Sequence, residues 1–164
     1  MGLGRLAAAL SRAGAAVGAV ALAAMILLIT VQVLSRRVLA SPMVVADELS
    51  GWLLVICTFS ALGYALLHGD HIRVTLLSER LPARVQSALQ ILGGIVGAAV
   101  TALLMWRTAV MAWDSFAGGT FSIAGSGLPL WPVHVFMPIG FAILLAQLVV
   151  HTLEELARLA GSVR

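Results

Sequence analysis

The chain has 164 residues, of which 61% are hydrophobic and 10% charged, and its mean hydropathy is +1.06. A water-soluble domain carries about 25% charged residues. Lipid must therefore be the solvent for most of this chain, and a soluble catalytic domain of ordinary size has no room in it. All basic residues are arginine, and they are strung out along the sequence at a net charge of +3, which excludes the clustered basic footprint of a nucleic-acid binder.

A spanning helix needs about 20 mostly apolar residues, and four stretches qualify. The first covers about residues 13–34. Arg5 and Arg12 ahead of it imitate a signal peptide, but the run to Leu34 is longer than the roughly 7–15 residues of a signal core. An uncleaved first span is expected. Gly14 and Gly18 within it have the small-xxx-small spacing that lets helices approach closely, although an Ala-rich helix also produces such a match by chance.

Arg36 and Arg37 follow, then Ser41-Pro42, which suits a helix cap and first position. The segment from Pro42 to Glu48 reads as an interfacial lead-in to the second span, about 49–67. Asp47 and Glu48 lie near that helix's amino end, where the macrodipole favours negative charge. They either snorkel to the boundary or meet a partner's basic group. Cys57, inside this span, is the lone cysteine. It rules out a disulfide framework or a Cys-based zinc site within one chain and reads as a small packed residue.

The second span runs out into "LLHGDHIRV". His68 and His71 with Asp70 suggest a metal, but structural zinc needs four ligands and these make at most three. Gly69 suits the left-handed conformation that closes a helix. Asp70 and Arg73 then meet water while Ile72, Val74, Leu76 and Leu77 stay apolar along the surface, with His71 positioning the turn. A haem held between His68 and His151, both at the same end of their spans, is the alternative.

The third span, about 85–107, carries Gly93, Gly94, Gly97, Ala98 and Ala102 as a small-residue packing face. Arg107 closes it between Trp106 and Trp113, either snorkelling to the headgroups or pairing with Asp114 or a partner. Residues 115–132, rich in Gly, Ser, Thr and Pro, are expected as a loop along the outer surface. Trp131-Pro132 open the fourth span, about 133–153. Its helix is expected to continue past the bilayer, with Glu154 and Arg158 at ion-pair spacing.

Between spans, Arg5, Arg12, Arg73, Arg80, Arg84, Arg158 and Arg164 fall on one side and Arg36, Arg37 and Arg107 on the other. The positive-inside rule then puts both termini in the cytoplasm. The expected architecture is all-α: a single four-helix membrane domain in the bacterial inner membrane.

Three stretches resemble a known family, the small membrane subunit (DctQ-like) of tripartite ATP-independent periplasmic (TRAP) transporters. They are "VQVLSRRVLASPMVVADELSGW", "FSALGYALLHGDHIRVTLLSERLP" and "GLPLWPVHVFMPIGFAILL", in the family's order from about Val31 to Leu145. The matching positions are Ser35, Arg36, Asp47, Glu48, Gly63, Gly69, His71, Ile72, Val74 and Pro138. Thr75 departs from the pattern, where relatives carry an acid; an ion pair made by that acid is absent here or replaced by a hydroxyl hydrogen bond.

The resemblance implies a small permease subunit of a sodium-coupled importer of organic acids. It would brace a large membrane subunit that carries the solute, in lipid, with no cofactor of its own. Its outer rim, with Arg36, Asp47 and Glu48, would help dock a periplasmic substrate-binding protein. The residues agree with a non-enzymatic role, since no nucleophile, base and orienting group converge. A haem-binding anchor of a respiratory complex is the rival from another class.

Overall fold

A computed structural model describes residues 2–39, 44–67, 83–123 and 126–161. It contains four helices: α1 (Gly2–Leu39), α2 (Val44–Leu67), α3 (Ala83–Ala117) and α4 (Trp131–Gly161). Each is long and apolar enough to cross a membrane. Among the described residues the only β pairing is one isolated bridge, Phe121 with Pro129. The protein is an all-α bundle of four membrane helices.

All four helices outrun the apolar cores that mark them in the sequence. α1 has 38 residues, about 57 Å at 1.5 Å per residue, because the Ala- and Leu-rich stretch from Arg5 to Ser11 holds no Gly or Pro. α2 starts at Val44 and takes in Asp47 in its first turn, so the lead-in and the span form one continuous helix. The acids sit at the positive end of the dipole, where they belong.

The largest departure is in α3. Arg107 does not close it; the helix continues through "TAVMAWDSFA", which holds no Gly or Pro, to Ala117. It stops at the first real breaker, Gly118-Gly119. Gly119 has φ 54°, Thr120 N donates to Ser115 O at 3.2 Å and Gly119 N to Phe116 O at 3.4 Å. This is the bond pattern of a Schellman cap. The loop that follows folds back on itself through Ser122 N to Leu128 O (2.9 Å) and Leu130 N to Thr120 O (3.0 Å).

α4 is the hub. It packs against α3, α2 and α1, and α1 packs against α2, whereas α3 has substantial contact with α4 alone. The interior is narrow and mostly of small or polar residues: Ala7, Ser11, Ala21, Ala46, Ser60, Thr101, Ala112, Ser115 and Gln147 are buried, with Leu66, Val133 and Leu144 as the larger apolar members. Large side chains such as Val20, Leu27, Val33, Leu34, Leu92 and Leu103 face outward. Lipid tails are as apolar as leucine, so helix contact in a bilayer is driven by close backbone approach and hydrogen bonds instead.

α1 shows this most clearly. A line of covered positions, Gly4, Ala7, Ser11, Gly14, Gly18, Ala21, Met25, Leu28, Gln32 and Ser35, runs in alternating steps of three and four along the helix, with Ala8 and Ala15 half-buried beside it. That is the seam of a left-handed coiled pair.

The bundle has two ends. The terminal end gathers the start of α1, the end of α2, the start of α3 and the end of α4. The rim gathers the end of α1, the start of α2, the end of α3 and the start of α4, with the loop 118–130.

Candidate interaction site at the rim

The rim is organised around the first turn of α2. Asp47 Oδ1 accepts from Gln32 Nε2 at 2.6 Å, and Gln32 is buried on the α1 seam. Arg36, one turn further along α1, approaches Asp47 Oδ2 at 3.9 Å, with side-chain exposures of 61% and 68%. An ion pair this long and this wet contributes little on its own; the amide is what holds Asp47. Ser50 Oγ donates to the Asp47 backbone carbonyl at 2.7 Å.

Glu48 points a different way. Its Oε2 accepts a hydrogen bond from Ser126 Oγ, and Ser126 Oγ also accepts from Leu128 N at 3.3 Å. The loop between α3 and α4 is thereby tied to the start of α2. Glu48 Oε1 is buried and has no hydrogen-bond partner among the described residues. Ser35 is half-buried on the α1 seam, while Arg37 is exposed.

On the α3–α4 side of the rim, Ser115 Oγ lies 2.6 Å from His134 Nδ1. The Phe116 and Trp131 rings meet edge to face at 5.7 Å. Pro138 lines an apolar hollow of about 320 Å³ with Trp113, Phe116, Trp131 and Val135. Pro138 lies inside α4. It has no N–H to give the His134 carbonyl, a loss that membrane helices accommodate.

Deeper in the bundle, Gly63 sits where α1, α2 and α4 meet. A Cβ there would press on Ile143 and on Ser11 Oγ, 2.8 Å away. Ser11 Oγ accepts from Gln147 Nε2 at 2.8 Å, a buried tie between α1 and α4. Gly14 lies against the Ser60 carbonyl and Gly18 against that of Cys57, so this pair does mark a contact, with α2.

The glycines of α3 do not share one face. A Cβ at Gly97 would touch Leu148 at 3.7 Å and one at Gly94 would collide with Thr152, both on α4, whereas Gly93 has nothing within 4 Å. Arg107 and Asp114 are both exposed, and among the described residues Arg107 forms no ion pair. Gly69, His71 and Val74, with His68, Ile72 and Thr75, lie outside the described residues, as do Ser41-Pro42 and the Arg158 side chain. No three His, Cys, Asp or Glu groups converge among the described residues.

Sequence reading missed Gln32, Ser11, Gln147 and Ser126. Gln32 and Ser11 had a signal, the three-four alternation of small and polar residues in α1. Ser126 had none: it lies 78 positions from Glu48.

Residues 25–158 match the family described as tripartite ATP-independent periplasmic transporters, DctQ component. Over 111 residues the chain is 29% identical to the ectoine TRAP transporter small permease protein TeaB of Halomonas elongata, a match covering 68% of this chain and 57% of that protein. The chain spans a little over half the length of this curated relative.

Proposed function

The chain belongs to the DctQ family of TRAP transporter components and is a multi-pass inner-membrane protein; from that premise we propose that it is the small permease subunit of a sodium-coupled importer of organic acids. In this role it braces a large membrane subunit that moves the solute and lends its rim to a periplasmic binding protein. Both termini face the cytoplasm, and the rim faces the periplasm.

Support comes from the helices. All four are continuous, and every acid among the described residues (Asp47, Glu48, Asp114, Glu154 and Glu155) lies near a helix end. Solute and ion sites in secondary transporters are built at mid-membrane from broken helices, and this chain presents unbroken ones locked by small residues. Such a bundle suits a fixed platform. In this reading the other two components select the solute; the relative of 29% identity is named for ectoine.

Deleting this chain while keeping the large subunit and the binding protein is expected to abolish uptake. Purified binding protein should still bind its solute. Uptake that persists without the chain would refute the scaffold role. For the rim, Asp47→Arg with Glu48→Arg is expected to weaken binding-protein association by about tenfold or more, since charge pairs that steer and hold a partner contribute on the order of 1.5 kcal/mol or above. The two membrane subunits should still copurify. An unchanged affinity counts against docking there.

A further inference from the structure

At the rim, beside the first turn of α2, the end of α1 borders an open cleft of about 750 Å³ whose lining includes Ile29, Val33, Leu34, Arg36, Arg37 and Asp47. We propose that this cleft binds an anionic phospholipid carrying a single negative charge, its phosphate on Arg36 and Arg37 and one acyl chain along Ile29, Val33 and Leu34.

The depth fits. The uncharged stretch 13–35 of α1 is about 34 Å long at 1.5 Å per residue, close to the roughly 30 Å hydrocarbon core. Arg36 and Arg37 therefore stand at headgroup level. Ile29 lies seven residues earlier, about 10 Å down the helix, among the acyl chains. The cleft is polar at the mouth and apolar below, as a glycerophospholipid is. Its volume takes a headgroup, the glycerol and the upper part of one chain, with the remaining tail in bulk lipid.

The charges fit as well. Two arginines and one carboxylate line the cleft, leaving one net positive charge for a phosphodiester. Asp47 is already engaged by Gln32 at 2.6 Å, and Arg36 is held to it only at 3.9 Å with both side chains more than half exposed. Arg36 is free to turn its fork toward a phosphate, and Arg37 has no ion pair among the described residues. Guanidinium groups grip phosphate oxygens in bidentate fashion.

The test is native mass spectrometry of the purified chain in neutral detergent, titrated separately with phosphatidylglycerol, phosphatidylcholine and inorganic phosphate. The first phosphatidylglycerol adduct should form in clear preference to phosphatidylcholine. Arg36→Gln with Arg37→Gln should weaken it by about five-fold for each arginine removed, and Arg107→Gln, an exposed arginine elsewhere, should leave it unchanged. Val33→Trp keeps both arginines and fills the acyl path, so it should also lower binding. The proposal is overturned by an unaltered chain without preference, by adducts that survive the double variant or Val33→Trp, by an equal loss in Arg107→Gln, or by inorganic phosphate competing the lipid away. None of these readouts involves transport, so a failure here is separate from a failure of the scaffold role.

Discussion

Gly93 and Gly94 are neighbours in the chain with opposite surroundings, and Gly140 is more tightly placed than either. A Cβ at Gly94 would strike the Thr152 side chain, whereas one at Gly140 would strike the Phe59 backbone carbonyl. A hydroxyl can rotate away; a carbonyl in a helix cannot. Gly140→Ala is therefore expected to cost about 1–3 kcal/mol, the usual range for overpacking, and Gly93→Ala to stay within about 0.5 kcal/mol. Thermal melting of the detergent-solubilised chain compares the two; equal melting temperatures would mean that α2 and α4 are not in contact at Gly140. The sequence reading expected Gly93, Gly94 and Gly97 to form one packing face, and Gly93 falls outside it. Which of them face a neighbour was not readable, because one position of rotation separates a contact from open lipid and α3 is apolar all round.

At the scale of elements, the apolar runs located the four helices, while their ends depended on finer signals. Arg107 looked like a terminus because arginine between indoles is common there. The helix ends instead where a left-handed residue becomes available, at Gly119. The α1 seam was legible in principle, since three-four alternation of Gly, Ala and Ser is a pattern in one helix. The loop's attachment to α2 was not, because Ser126 and Glu48 are brought together only by the fold. Ser126→Ala should release that loop by removing one hydrogen bond to a charged group, a contribution of about 1.5–3 kcal/mol. Chymotryptic cleavage after Phe121, which is 62% exposed, is then expected to accelerate by about tenfold or more. Cleavage at the original rate would show that the loop is held by its own backbone bonds alone.

For the molecule as a whole, composition already required lipid, and four spans bring both ends of the chain to one side. By the positive-inside rule the arginine distribution predicts a cytoplasmic location for that side. Alkaline phosphatase inserted in the loop at Gly127 should be active and a green fluorescent protein fused after Arg164 should fluoresce; the reverse pattern would invert the whole assignment. The order in which helices pair was not legible, since every helix offers small residues and every helix offers leucine. It was decided by particular matches: Gly14 with Ser60, Gly63 with Ile143, Gly94 with Thr152.

That pairing order bears on biogenesis. α1 and α2 can zip together as soon as both have left the ribosome, but α3 leans almost wholly on α4, which is made after it. Until α4 is inserted, α3 must wait in the bilayer with Gly94 and Gly97 unclaimed, so the second half of the bundle assembles only once α4 has followed it. A nascent chain stalled before Trp131 would therefore offer the membrane quality-control machinery one paired hairpin and one stray helix.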